Sequence, residues 1–193
     1  MLNTETHKHR IIFNLAVLLG LLMLSLGTLQ ALAQDQTKPG PELKKFEAQV
    51  GEWSYEGTGY TNPFGPAGKF KGKTTSRMVL GGFFLETRWN DKNETGYVSQ
   101  GVVLQGHDPV TKEYFSHVFD NEGSARVSSL TIEGNTWTGL GRQTDKNGKV
   151  YKTRDLITLS ADGRTFTEIA EYSTDDGKTW AVMFKITGKL VKK

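Results

Sequence analysis

The stretch EYFSHVFDNEGSARVSSLTIEGNTWTGLGRQ, residues 113–143, decides the fold class. It divides into three runs, 113–119, 125–133 and 136–143, rich in Thr, Ser, Val and aromatic residues at alternating positions. Asp120-Asn121-Glu122-Gly123 separates the first two, and Gly134-Asn135 the second two. Alternation with a period of two is the signature of a strand that buries one face, and clusters of Gly, Asn and Asp are the signature of tight turns. Connections this short join antiparallel neighbours, because a parallel pair needs a crossover of a dozen residues or more.

The same pattern runs outward in both directions. Strands are predicted over 52–60, 68–80, 83–90, 97–106, 113–119, 125–133, 136–143, 149–160, 164–173 and 180–190. Gly81-Gly82, Asp91-Lys92-Asn93, His107-Asp108-Pro109, Lys146-Asn147-Gly148, Asp162-Gly163 and Asp176-Gly177 punctuate the rest. Asn-Gly and Asp-Gly accept positive φ at low cost and so favour hairpins. Strands without helices to cover them close into a barrel or stack as a sandwich. A Greek-key sandwich needs long return connections, and only 61–67 offers one. The prediction is therefore all-β: a single antiparallel up-and-down barrel of about ten strands. A short helix precedes it. In PELKKFEAQVGEW, Pro41 suits a first helical position, Leu43, Phe46 and Val50 recur at spacings of three and four, and Gly51 suits the end.

Upstream of the helix the chain changes character. A polar, basic start, MLNTETHKHR, leads into the charge-free apolar run from Ile11 and then to Ala31-Leu32-Ala33. That is the pattern of a secretory signal peptide over 1–33, with a leader at 34–40 and the barrel domain at 41–193. An uncleaved membrane anchor is the competing reading, since roughly 20 apolar residues span a bilayer. The small-x-small tripeptide favours cleavage, hence an exported protein, periplasmic or secreted, without stable membrane insertion. The absence of cysteine leaves such a fold to stand on its core and removes thiolate chemistry, iron–sulfur clusters and cysteine zinc sites. With 24 Lys and Arg against 21 Asp and Glu, the net charge of +3 is too small for a nucleic-acid footprint.

Several landmarks are similar to a known family. Val50-Gly51-Glu52-Trp53 with Glu56-Gly57-Thr58-Gly59 resembles the Gly-x-Trp opening of lipocalin-like barrels. Gly81-Gly82-Phe83-Phe84-Leu85, the hairpin Gly106-His107-Asp108-Pro109-Val110-Thr111-Lys112-Glu113-Tyr114, and the aromatic strand ending at Asp120 resemble a bacterial lipocalin-like family, domain of unknown function 1579. The resemblance covers roughly 43–190 and implies a calycin-type barrel with no established activity. His107 stands where the family usually has tyrosine, and His117 where it often has tryptophan. Haem-binding nitrobindin barrels share the opening, but a histidine near their C-terminus holds the haem. This chain has no histidine after His117, so no cofactor carries over.

Six residues form the candidate ligand site: Trp53, Phe84, Glu86, Arg88, His117 and Glu168. Trp53 shares a face with Tyr55, where Gly57 and Gly59 leave room, and is expected low in the barrel beneath the 41–50 helix. His117 shares a face with Phe115 and Phe119, which points it inward, and histidine suits proton transfer or a polar ligand. Glu86 and Arg88 alternate with Phe84, and Glu168 shares a face with Phe166 and Tyr172. Alternation does not say which face is inside when both carry aromatics. Phe84, Glu86 and Arg88 either orient a carboxylate or carbonyl ligand from within or form a solvated outer row. Two histidines ten residues apart without matching carboxylates make no metal site.

Two further motifs read structurally. Ser173-Thr174-Asp175-Asp176-Gly177-Lys178-Thr179-Trp180 matches the Asp-box of sialidase propellers, but a single copy reads as a hairpin turn. Lys69, Lys71, Lys73 and Arg77 alternate along one strand as a solvated outer row. Gly139-Leu140-Gly141 lies inside a strand and is no dinucleotide fingerprint. Three functions remain open: a binding protein for a small apolar or amphipathic ligand, a small-molecule enzyme using the cavity with His117 as acid or base beside Glu86 or Glu168, and a stress- or envelope-related structural domain with a filled core.

Overall fold

The computed structural model describes residues 38–193. The segment predicted as a signal peptide, 1–33, and most of the predicted leader lie outside the described residues. Ten antiparallel strands follow in order: β1 (Gly51–Gly59), β2 (Gly68–Val79), β3 (Phe84–Asn93), β4 (Val98–His107), β5 (Tyr114–Asp120), β6 (Ala125–Glu133), β7 (Thr136–Thr144), β8 (Val150–Leu159), β9 (Thr165–Ser173) and β10 (Ala181–Lys192). Each pairs with the next, and β1 pairs with β10 from Glu52↔Lys192 to Gly59↔Phe184, so the sheet closes on itself. Closure leaves no strand edge unpaired. At Asn147-Gly148, Asp162-Gly163 and Asp176-Gly177 the glycine takes φ of 82°, 66° and 91°, the left-handed conformation for which these dipeptides were read as turns.

The helix is 3₁₀ over Pro41–Gln49, with Pro41 in its first turn. Three residues per turn set Leu43 and Phe46 on one line, and both are buried. They plug one end of the barrel. Trp53, Leu85, Leu130, Ile132, Trp137 and Leu159 pack with them into the apolar core. Phe46 meets Tyr114 edge-on at 5.8 Å, and the Tyr114 hydroxyl donates to the Glu42 carbonyl at 3.1 Å. Trp53 lies beneath the helix as its sequence position implied. Its indole N–H donates to the Gln49 carbonyl at 2.9 Å, and its ring meets Phe166 at 5.5 Å. The lysines of β2 are exposed on the outside, with Lys71 3.4 Å from Glu56. Among the described residues no helix is long and apolar enough to cross a membrane.

The Asp-box is the β9–β10 hairpin turn. The Ser173 hydroxyl accepts from the Gly177 amide at 2.8 Å, and Asp175 accepts from the Thr179 amide at 2.9 Å and the Thr179 hydroxyl at 2.6 Å. Trp180 stacks on the Arg154 guanidinium 4.4 Å away. The Thr179 side-chain and amide hydrogen bonds hold the Asp175 carboxyl down to about 2. A depressed carboxyl contributes stability above its unfolded value of about 3.9, and that contribution is lost as pH falls toward 2. Asp175→Ala is therefore expected to speed amide hydrogen exchange in the hairpin at neutral pH and to narrow the gap to the parent protein under acid. Unchanged exchange at neutral pH would show that the box is not what holds the turn.

Candidate functional site

Above the apolar plug the barrel encloses a cavity of about 360 Å³. Small-molecule sites span roughly 300–1,000 Å³. Trp137, Ile157 and Phe166 form its floor, and the β1–β2 loop reaches over its opposite end. That loop is braced by Asn62, whose side chain accepts from the Phe64 amide at 2.8 Å, and Phe64 meets Tyr151 edge-on at 5.3 Å.

Polar groups occupy the middle of the wall. Register places Gln105, Ser116, Ser128 and Gly141 in one row across β4 to β7. Gln105, Ser116 and Ser128 are buried from outside solvent, at 6%, 7% and 3% exposure. Among the described residues Gln105 Oε1, Ser128 Oγ, Trp137 Nε1 and Gln49 Nε2 have no hydrogen-bond partner, and all four atoms are packed within the wall. Gly141 belongs in this row because a Cβ there would stand 2.3 Å from Ser128 Oγ and 2.7 Å from the Val127 carbonyl. Beside it the Arg126 guanidinium pairs with Asp155 at 3.0 Å. Gly139 pairs with Asp155 on the neighbouring strand.

Glu168 stands next to that pair, diagonally across the β8–β9 ladder from Asp155. Burial, and secondarily the Asp155 charge, push its carboxyl up to about 8, with Arg126 pulling the other way. No side chain pairs with it among the described residues. On the opposite wall the Tyr55 hydroxyl donates to Asp91 Oδ2 at 2.9 Å. Burial raises Asp91 above the usual carboxylate range, offset in part by the Tyr55 hydrogen bond. Burial followed by the charge of Asp91 pushes the Tyr55 phenol above its ordinary range.

Of the six residues expected at the site, the structure brings Trp53 and Glu168 inside, on the plug and on the wall. Phe84, Glu86 and Arg88 form an outer row. Their strand turns Leu85, Thr87, Trp89 and Asp91 inward, and Leu85 is fully buried in the plug. Glu86 accepts from Arg77 at 2.9 Å and Arg88 at 3.0 Å, and these exposed guanidinia, Arg88 first, hold its carboxyl below the usual range. His117 also faces outward, its ring 5.3 Å from Phe115, because β5 spends its inner face on Tyr114, Ser116, Val118 and Asp120. The apolar side of β5 is thus its outer side. Phe115 packs over Gly106 toward Phe84, with ring centroids 6.2 Å apart. His117 and Glu168 lie on opposite sides of the wall and form no acid–base pair. Among the described residues no group of three His, Asp or Glu could hold a metal ion.

The sequence reading missed Tyr55 as a cavity residue, placed Asp91 in a turn where β3 in fact runs on to Asn93, and missed Gln105, Arg126, Ser128 and Asp155 altogether. A usable signal exists. Gly139 and Gly141 share one strand parity, and side-chain-free positions on one face make room for polar groups from neighbouring strands.

A family model described as a protein of unknown function (DUF1579) matches residues 38–189. The chain belongs to this family. No curated protein matches it. Among solved structures, Rv2717c from M. tuberculosis is similar in fold, with a TM-score of 0.56 at 11% identity over 79% of this chain and 99% of that one.

The landmarks shared with DUF1579 build the scaffold. Gly81-Gly82, with φ of 71° and 92°, turns β2 into β3. Asp108 Oδ1 accepts from the Val110 amide at 2.7 Å and the Thr111 amide at 3.2 Å, closing the β4–β5 turn. Tyr114 fastens that hairpin to the helix. His107, at the family's tyrosine position, lies 3.6 Å from Glu42 and 4.9 Å from the Tyr114 ring, within the plug rather than the cavity.

Proposed function

We propose that this DUF1579 barrel is an exported binding protein that holds a small amphipathic molecule in its lumen. One observation carries the reading: the barrel encloses a cavity of about 360 Å³ walled by apolar rings, and into it faces the Glu168 carboxyl, which no side chain among the described residues pairs with. Leaving a buried polar group unpaired costs about 1–3 kcal/mol, so a wall built this way gains when a guest supplies the missing partner. A domain with a filled core has no use for such a wall. The signal-peptide pattern at 1–33 supports export, periplasmic or secreted. Native mass spectrometry of the protein purified from its own host tests both halves. The expected result is a chain beginning near Gln34 that carries an extra, dissociable mass. A chain retaining residues 1–33 in the membrane fraction would overturn export, and a uniformly bare protein, whose lumen also takes up no added amphiphile, would overturn binding.

A further inference from the structure

The charges of this protein are sorted by side of the wall. The chain as a whole is net basic, at +3, and Lys69, Lys71, Lys73, Arg77 and Arg88 stand on the outer face. The charged residues around the cavity are Asp91, Asp120, Glu122, Arg126, Asp155 and Glu168, five acids against one base. The single guanidinium is spoken for by Asp155 at 3.0 Å. Two of the acids are engaged at the cavity mouth, Asp120 in its own turn and Glu122 with the Tyr97 hydroxyl. Asp91 holds the Tyr55 hydroxyl. Glu168 alone has no partner while facing the cavity.

The surroundings of Glu168 give the same polarity, because they are aromatic. Register runs from Glu168 through Ile186 and Gly57 to Phe70. The Phe70 ring lies over Gly57, where a Cβ would come within 2.5 Å of it. Tyr55 and Phe184 flank Phe70 edge-on at 6.3 and 6.2 Å. Ring faces attract ammonium groups and repel carboxylates. A lumen meant for fatty acids or other carboxylates would need a free cation, and none stands in this one among the described residues.

We propose that the lumen selects an amphipathic cation, a protonated amine on an apolar body, with the ammonium between Glu168 and the Phe70 ring and the body against Phe166 and Trp89. The inference rests on the binding reading above and names its ligand class. An unpaired carboxylate in a water-poor wall is costly, and a cation entering beside it removes that cost. Because the empty site favours the protonated carboxyl, binding the amine expels the Glu168 proton. Tyr55, Asp91, Arg126 and Asp155 face the same space and set the background against which it titrates. Amine affinity should therefore rise as pH climbs from 6 toward 8, and fall again only near the amine's own pKa, about 10.4 for a lysine-like ammonium.

The test is calorimetric titration of the mature protein with octylamine, octanol and octanoate, which share one body and differ in the head. Octylamine is expected to bind at least about tenfold more tightly than octanol at pH 8, with octanoate weakest. That ratio corresponds to about 1.4 kcal/mol. Glu168→Gln should reduce amine affinity by about the same factor, abolish its pH dependence and leave octanol unchanged. Equal or tighter binding of octanol or octanoate would overturn the ligand class and leave the binding reading standing. No binding of any of the three, to a protein that native mass spectrometry shows to carry a guest from its host, would overturn the class alone. No binding to a protein that is also bare would overturn both. Should Glu168→Gln fail to fold, Phe70→Leu, which removes the ring and keeps the apolar volume, should weaken octylamine and spare octanol. Equal losses for the two would overturn the cation assignment.

Discussion

Replacing Trp53 with alanine is expected to cost about 3–5 kcal/mol of folding stability, the range for large aromatic truncations in cores. The residue is 3% exposed, and its ring lies between the 3₁₀ helix and the barrel floor. Truncation removes the edge contact with Phe166, frees the Gln49 carbonyl and undercuts the helix that Leu43 and Phe46 anchor. A 3₁₀ helix of nine residues has little stability of its own, so the damage should spread beyond one side chain. Urea denaturation at pH 7 reads the cost. Trp53→Phe, which keeps most of the volume and loses the indole donor, should forfeit only part of it. A Trp53→Ala variant within 1 kcal/mol of the parent would mean that the plug does not close the barrel.

Trp53 was also among the most legible residues in the chain, for a physical reason. Its neighbours of the same parity are Tyr55, Gly57 and Gly59, so only one face of β1 can be core. The ten strands were legible on the same ground: each turn carries glycine, asparagine or aspartate, and closure follows when no helix covers a long meander. What the sequence concealed was the inner face of β3 and β5. Phe115 reads as inward because it shares a face with His117 and Phe119, and the aromatics on both faces leave Phe84 open. In a barrel with a polar cavity, however, the inside takes Ser116, Thr87 and Asp91, and the rings pack outside across Gly106. Hydrophobicity identifies the inner face only where the interior is filled by the protein itself. That holds at the plug, where Leu85 and Trp53 are buried, and fails at the lumen. Arg126 and Asp155 were illegible for a further reason. They lie 29 residues apart on β6 and β8, and only the closing of the sheet brings them together.

That pair supplies the second large effect. Arg126→Met is expected to destabilise the protein by about 3–5 kcal/mol at neutral pH, the cost of stranding a buried ion without its partner. Both side chains are 15% exposed, so neither charge is left to bulk water. The loss should depend on pH with a definite sign. Glu168 has a raised carboxyl, about 8 against an ordinary value of 4.5, and Arg126 is the charge that pulls it down. Without the guanidinium it rises further, so between those limits the folded state holds a proton that the unfolded chain releases. Stability then falls as pH rises through the window from 4.5 to about 8 in both proteins, and in the variant it goes on falling to higher pH. The deficit should accordingly be larger at pH 8.5 than at pH 7. Arg126→Met combined with Asp155→Asn should recover part of it at pH 7, because the double change leaves no uncompensated charge at the ion-pair site. Urea midpoints of the parent, the single variant and the double variant at pH 5, 7 and 8.5 distinguish the cases. A single variant with a small, pH-independent deficit, unrelieved by Asp155→Asn, would mean that water rather than Arg126 neutralises the wall, and that Glu168 is not held in the low-dielectric setting from which its cation preference was inferred.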